Sequence, residues 1–187
     1  PVIMNANITG VVNVWEAARK AGTRRIVFAS SNHATGFQPR SRRTDHHAPA
    51  RPDTRYGLSK AFGEDVAAYY ANKHGIEAMC MRIGTCRAEP HDQRALSSWQ
   101  SYPDFCRLVD VGLSADLVYE IVYGVSNNPR SWWDNSNALR LGFKAVDNAE
   151  VFAPKVEHIL ANDPVADSLQ GGGFCAREFE GDLDKCL

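Results

Sequence analysis

The chain has 187 residues, of which 44% are hydrophobic and 23% are charged, a composition typical of a globular domain and not of a disordered chain. Its 21 basic and 22 acidic residues give a formal net charge of −1, so we expect neither nucleic acid nor an anionic membrane as a partner. No apolar run approaches the roughly 18 residues of a membrane span. Five cysteines without C-x-x-C spacing indicate a reducing, cytoplasmic location.

Helical and strand patterns alternate along the chain. Helices are predicted where apolar residues recur with helical spacing before a glycine, and strands where short runs are rich in β-branched residues. The predicted elements are, in chain order, a helix over 2–21, a strand over 25–30, a helix over 54–74, a strand over 76–83, a short helix starting at 101–104, a strand over 117–123 and a helix over 151–160. This alternation predicts an α/β fold with a parallel sheet.

Polar residues follow the first two predicted strands. The segment 30–33 comes after the first strand, and 84–86 comes after the second. Because sites in parallel sheets lie at the carboxyl ends of the strands, we expect both segments to face one crevice. The long aperiodic loop up to Asp53 begins at the same edge, and loops of this length are usually functional.

A tyrosine and a lysine lie four residues apart at the start of the second helix. Thr54 is a candidate N-cap, so Tyr56 would lie in the first turn, with Lys60 on the same helix face. A lysine cation one turn away and the helix N-terminus both favour the phenolate. Tyr56 would then accept a hydroxyl proton, while Ser31 holds the same oxygen. A Tyr-x-x-x-Lys pair alone also arises by chance, and its context carries the hypothesis.

Five blocks of sequence carry a family resemblance. They are Ile26-Val27-Phe28-Ala29-Ser30-Ser31-Asn32-His33, Tyr56-Gly57-Leu58-Ser59-Lys60-Ala61-Phe62-Gly63-Glu64, Arg82-Ile83-Gly84-Thr85-Cys86, Ser97-Ser98-Trp99 and Trp132-Trp133-Asp134-Asn135. Together they resemble the extended short-chain dehydrogenases/reductases of the epimerase/dehydratase type and, more narrowly, the bacterial uronate dehydrogenases. The resemblance implies a Rossmann-like doubly wound fold, and NAD-dependent oxidation of D-galacturonate or D-glucuronate at C1 to an aldarolactone.

The resemblance also implies roles for individual residues. The implied catalytic residues are Ser31, Tyr56 and Lys60. The implied substrate-binding residues are Ser31, Asn32, His33, Tyr56, Thr85 and Arg94, with Arg94 on the sugar carboxylate and threonine replacing the usual serine at position 85. The implied cofactor-binding residues are Ser30, Tyr56, Lys60, Ile83 and Cys86. A homo-oligomer is also implied, because related helices often pack against a second subunit.

The sequence contains no strand followed by a Gly-rich turn and a helix, the arrangement that binds a dinucleotide pyrophosphate. Gly171-Gly172-Gly173 follows no predicted strand. We therefore expect residues 1–161 to be the C-terminal portion of an NAD(P)-binding Rossmann-like domain, 162–187 to be a C-terminal tail, and the chain to be a fragment. We also expect weak stability and weak NAD binding from these residues alone.

Other interpretations stay open. One is another extended reductase, such as a nucleotide-sugar epimerase or dehydratase, and the other is a non-catalytic oligomerising relative. His46 and His47 lack a companion ligand at metal-binding spacing, so we expect no metal site. Cys86 is better explained by packing than as a nucleophile, and the Trp132-Trp133 pair by core packing than as a sugar platform.

Overall fold

A three-stranded parallel sheet in the order β1-β2-β5 forms the centre of the fold. The computed structural model describes residues 2–187. The strands are β1 (Arg25–Ser31), β2 (Glu77–Ile83), β3 (Thr85–Cys86), β4 (Trp99–Gln100) and β5 (Tyr119–Gly124). The helices are α1 (Gly10–Lys20), α2 (Arg55–His74), α3 (Ala95–Ser98), α4 (Tyr102–Ser114), α5 (Ser136–Arg140), α6 (Ala153–Val156), α7 (Pro164–Ser168) and α8 (Gly173–Ala176). The predicted α/β fold with a parallel sheet is confirmed.

The sheet is covered on both faces. Ala78 and Cys80 of β2 pack with Trp15 of α1 and residues of α2, whereas Met79 and Met81 pack in a different cluster with α4 and β5. Alternate residues of a strand point to opposite faces, so β2 is buried on both sides. This explains why its central residues, 78–81, are a continuous apolar run and not an alternating pattern.

The helix that carries Tyr56 begins and ends where the sequence predicts. Thr54 is its N-cap, and its side-chain oxygen accepts a hydrogen bond from the backbone N–H of Gly57. Gly75 terminates it in the left-handed conformation, with φ of 68°, which glycine adopts without a steric penalty. The first predicted helix is also present, but its segment Met4–Thr9 is a π-helix that leads into α1.

The predicted helix over 151–160 is wrong in extent. A 3₁₀ turn, Ala149–Phe152, leads into α6, which ends at Val156. Pro154 lies in the first turn of α6, the position where proline is tolerated. The short strands β3 and β4 were not predicted, since two-residue strands have no measurable periodicity.

Part of the segment expected to be a tail packs into the fold. Leu169 and Gln170 are 0% and 1% exposed. Leu169 forms an isolated antiparallel β-bridge with Pro39, which lies in the long loop after β1. The Gln170 side-chain amide donates to Pro39 O and to Thr44 Oγ1. This segment is short and Gly-rich, so no periodic pattern predicts its burial. No helix within residues 2–187 is long and apolar enough to cross a membrane.

Candidate functional site

A cavity of about 450 Å³ opens where the carboxyl ends of β1 and β2 meet the first turns of α2. Its lining includes all three residues predicted to be catalytic and several predicted to bind ligands: Ala29, Ser30, Ser31, Asn32, His33, Tyr56, Lys60, Ile83, Gly84 and Phe174. The parallel pairing of β1 with β2 sets Ser31 beside Ile83. The sheet edge therefore brings together residues that are far apart in sequence.

Tyr56 and Lys60 share the cavity face of α2. The Lys60 ammonium lies 5.5 Å from the centre of the Tyr56 ring and donates a hydrogen bond of 2.8 Å to Ala29 O. Lys60 forms no salt bridge with any residue that the structure describes. Desolvation lowers the pKa of Lys60, because burial disfavours the charged form. An ammonium has three donors, so Lys60 can still bind a further ligand.

The two serines at the end of β1 have different environments. Ser30 lines the cavity, but its hydroxyl donates its one proton at 2.6 Å to buried Glu64, so toward a cofactor this side chain can only accept a hydrogen bond. The Ser31 hydroxyl oxygen accepts from the His33 backbone N–H. Because a hydroxyl also carries one donor, Ser31 can still donate a hydrogen bond into the cavity.

His33 is held by two side chains. Its Nδ1 lies 2.5 Å from Asp53 Oδ2, and its ring stacks on Phe174 with centroids 4.1 Å apart. The ring also meets Tyr56 edge-on at 6.1 Å. From the sequence, Asp53 only marks the end of the long loop, and nothing there points to Phe174. No local pattern links either residue to His33, since both contacts are made across the fold.

Arg94 extends the site into an adjoining cavity of about 430 Å³. Its guanidinium donates to Gln170 O at 2.8 Å and to Asn32 Oδ1 at 3.0 Å, with longer contacts of 3.5 Å to Thr85 Oγ1 and 3.4 Å to Ser98 Oγ. All four acceptors are neutral, and Arg94 forms no salt bridge within residues 2–187. Desolvation, and secondarily the charge of Arg40, lowers the pKa of Arg94 to about 10, which still leaves it charged at neutral pH.

The two cavities are contiguous around Asn32 and His33. Both are lined by these two residues together with Gly84 and Phe174. Asn32 is fixed between them, because its amide donates to Ile83 O while its carbonyl accepts from Arg94. A ligand that fills both cavities would meet Tyr56 at one end and Arg94 at the other.

The remaining predicted positions divide between the cavities. Ile83 lines the Tyr56 cavity, whereas Cys86 lines the Arg94 cavity. Desolvation raises the pKa of the Cys86 thiol, which opposes formation of the nucleophilic thiolate. This environment agrees with a packing role for Cys86.

The tryptophan pair is structural. Trp133 is 3% exposed, stacks on Tyr123 at 4.9 Å and donates from its indole N–H to Gln170 Oε1. Asn135, two residues later, pairs with the Tyr123 backbone. The predicted core role is thus confirmed for Trp133, and Trp132 packs against this cluster while only partly buried. Within residues 2–187, the side chains form no cluster of three or more His, Cys, Asp or Glu that could hold a metal ion.

Known proteins resemble this chain over most of its length. The model of the NAD dependent epimerase/dehydratase family matches residues 2–140. A uronate dehydrogenase of Pseudomonas putida is 48% identical over 177 residues, which are 92% of this chain and 65% of the relative. A uronate dehydrogenase of Pseudomonas syringae pv. tomato is 44% identical over 183 residues, which are 96% of this chain and 66% of the relative.

Among solved structures, a mutant of the uronate dehydrogenase from Agrobacterium tumefaciens, complexed with NAD, is 44% identical to this chain and superposes with a TM-score of 0.86. The match covers 91% of this chain and 66% of that one. The chain thus spans about two thirds of the length of the relatives that it matches. On this match of sequence and fold, the chain belongs to the NAD dependent epimerase/dehydratase family.

Proposed function

We propose that this chain carries the catalytic site of an NAD-dependent uronate dehydrogenase, which oxidises a cyclic hexuronate at C1 to an aldarolactone. The observation that carries the proposal is the Arg94 guanidinium, which is desolvated and bonded only to neutral acceptors beside the Tyr56 cavity. A planar guanidinium recognises a carboxylate with two parallel hydrogen bonds. A sugar acid supplies that carboxylate together with a hydroxyl for Tyr56.

In this proposal Tyr56 is the base. Its phenolate accepts the proton of the C1 hydroxyl, and Lys60 stabilises the phenolate from the next turn of α2. Ser31 donates a hydrogen bond to the same oxygen and so aligns the C1 hydrogen for departure. At the other end Arg94 binds the carboxylate, with Thr85 beside it, and Asn32 and His33 bind ring hydroxyls.

The residues at the cavity fit the nicotinamide half of NAD⁺. Lys60 uses one ammonium donor on Ala29 O, and its other donors suit the vicinal hydroxyls of a ribose. Ser30, Ile83 and Gly84 contribute backbone and apolar surface to the same wall, and Cys86 lies beyond it. When bound, NAD⁺ accepts the hydride that leaves C1 as Tyr56 removes the hydroxyl proton.

We keep three further expectations as proposals: a Rossmann-like domain portion over 1–161, a homo-oligomer, and a cytoplasmic location. The runner-up function is another extended reductase acting on a nucleotide sugar. Arg94 favours the uronate, because a desolvated guanidinium at the opposite end of the joined cavities from Tyr56 matches the carboxylate of a sugar acid. A non-catalytic relative would not need the free donors of Ser31 and Lys60.

The test is NADH formation from D-galacturonate and D-glucuronate, followed by absorbance. It is run with this chain and with the chain joined to the part of the P. putida relative that it does not span, since NAD binding by the shorter protein is expected to be weak. Tyr56→Phe should lower kcat by about 10²- to 10⁴-fold, with Tyr69→Phe, an exposed tyrosine of the same helix, as the control. The proposal is wrong if the joined protein binds NAD⁺ yet oxidises neither uronate.

A further inference from the structure

Asp53 is a buried carboxylate that the proposed mechanism does not use. Its side chain is 0% exposed. One oxygen, Oδ1, accepts a hydrogen bond of 3.0 Å from the Thr54 hydroxyl, and the other, Oδ2, lies 2.5 Å from His33 Nδ1. The Cys175 thiol makes a longer contact of 3.9 Å with Oδ2. Burying a carboxylate is costly unless it is hydrogen-bonded, and these three partners offset that cost.

Two glycines allow the chain to close around this carboxylate. A Cβ atom at Gly36 or at Gly171 would overlap Asp53 Oδ2. Gly36 lies in the loop after β1 and Gly171 in the C-terminal segment, while Asp53 immediately precedes the N-cap of α2. Three separate segments therefore converge on one oxygen, the oxygen that contacts His33.

The contact fixes the protonation pattern of the His33 ring. An ionised carboxylate only accepts hydrogen bonds, so Nδ1 must carry the proton that it shares with Asp53. In a neutral imidazole the other nitrogen, Nε2, is then an acceptor. Within residues 2–187 Nε2 has no hydrogen-bond partner, and the ring lines both cavities. Stacking on Phe174 holds the plane of the ring.

We propose that Asp53 is a positioning residue which keeps Nδ1 of His33 protonated, so that Nε2 accepts a hydrogen bond from a hydroxyl of the sugar acid. The lone pair on Nε2 attracts a hydroxyl and repels a carboxylate. His33 and Arg94 thereby determine the orientation of the ligand, because His33 binds a hydroxyl and Arg94 binds the carboxylate. This inference rests on the proposed function only for the identity of the ligand.

The first readout needs no turnover. Nitrogen NMR of the ¹⁵N-histidine-labelled chain, with the signals of His33 assigned by His33→Gln, should show a protonated Nδ1 and an unprotonated Nε2. In the wild type both oxygens of Asp53 accept hydrogen bonds, one from the Thr54 hydroxyl and one from His33 Nδ1. Asp53→Asn replaces one of these oxygens with an NH₂ group, which donates. The side chain at position 53 then no longer requires a proton on Nδ1, and we expect His33 to populate the form protonated on Nε2 as well. An unchanged His33 spectrum in Asp53→Asn would overturn the proposal.

The second readout compares KM for the uronate with KM for NAD⁺. Asp53→Asn should raise KM for the uronate about tenfold, the loss of about one hydrogen bond, and leave KM for NAD⁺ unchanged. Thr54→Ala is the matched control, because it removes the other hydrogen bond to the same carboxylate and weakens the helix cap. It should lower the melting temperature while the His33 spectrum stays as in the wild type.

The outcomes separate this inference from the proposed function. If Asp53→Asn lowers the melting temperature as Thr54→Ala does and raises KM for the uronate and for NAD⁺ alike, Asp53 is only structural and the inference is wrong. If the wild-type protein oxidises no uronate, the proposed function fails, while the nitrogen spectra still decide whether Asp53 sets the protonation of His33.

Discussion

Arg94 is the residue whose surroundings most constrain the ligand. Its pKa is lowered to about 10 because it is desolvated and faces Arg40, and its protein acceptors are all neutral. A buried cation without a counter-ion is unfavourable in the free protein. An anionic ligand would offset that cost, so the surroundings of Arg94 favour the binding of an anion.

Arg94→Lys tests whether binding of the carboxylate requires the two parallel hydrogen bonds of a planar guanidinium. Lysine keeps the positive charge but lacks the bidentate geometry, so KM for the uronate should rise about 10- to 100-fold, the value of a charged hydrogen bond. KM for NAD⁺ should not change. Arg130→Lys, on an exposed arginine that pairs with Glu150, serves as the control. Equal KM values for Arg94→Lys and wild type would show that the carboxylate binds elsewhere.

At the scale of elements, a buried ion pair joins α2 to the sheet. Glu64 of α2 receives two hydrogen bonds from Arg82 of β2, at 3.0 and 2.8 Å, and one from Ser30 of β1. Desolvation alone would lower the pKa of Arg82, but the hydrogen bonds and charge of Glu64 outweigh it and raise the pKa. The pair therefore fixes the helix that carries Tyr56 and Lys60 against the ends of both strands.

Glu64→Gln should destabilise the fold strongly. It leaves the Arg82 charge buried without its counter-ion, and breaking such a pair costs about 3–5 kcal/mol of unfolding free energy. Urea denaturation monitored by circular dichroism measures the change. Glu150→Gln, in the exposed pair with Arg130, is the control and should shift the midpoint little. A midpoint for Glu64→Gln close to that of the control would show that the buried pair contributes no net stability.

Gly57 sets how closely α2 approaches the 3₁₀ turn Asn32–Thr35 that carries His33. A Cβ at position 57 would overlap His33 O. Because His33 O is a backbone atom, a change of side-chain rotamer cannot remove the overlap. Gly57→Ala should therefore cost about 1–3 kcal/mol of unfolding free energy, although alanine favours helix formation. Gly173→Ala, where the new methyl group meets nothing within 4 Å, is the control for thermal melting. Equal melting temperatures would contradict the close approach.

The sequence predicts those elements and site residues whose signals are local. Thr54 and Gly75 mark both ends of α2, and the order of strand ends places Ser31 near Tyr56. Asp53 and Gln170 could not be recognised in this way. Each acts through contacts with segments distant in sequence, and neither belongs to a periodic pattern or a short motif.

At the scale of the whole molecule, the C-terminal segment completes the site. Gln170 O accepts from Arg94, and the Gln170 side chain bonds Trp133 and Thr44. Phe174 stacks on His33. The segment therefore orients residues that line both cavities, and we expect it to be required both for stability and for binding.

A chain that stops after Asn162 tests this expectation. Removing the segment uncovers the surface under Leu169 and leaves the indole N–H of Trp133 and one Arg94 donor without their acceptors, so the melting temperature should fall and binding of a dye specific for exposed apolar surface should rise. A chain that stops after Gly181 is the control, since residues 182–187 are mostly exposed. If both truncations melt like the full chain, residues 163–181 are a dispensable tail, as the sequence pattern alone suggests. If only the chain that stops after Asn162 is destabilised, the segment is part of the domain that forms the site.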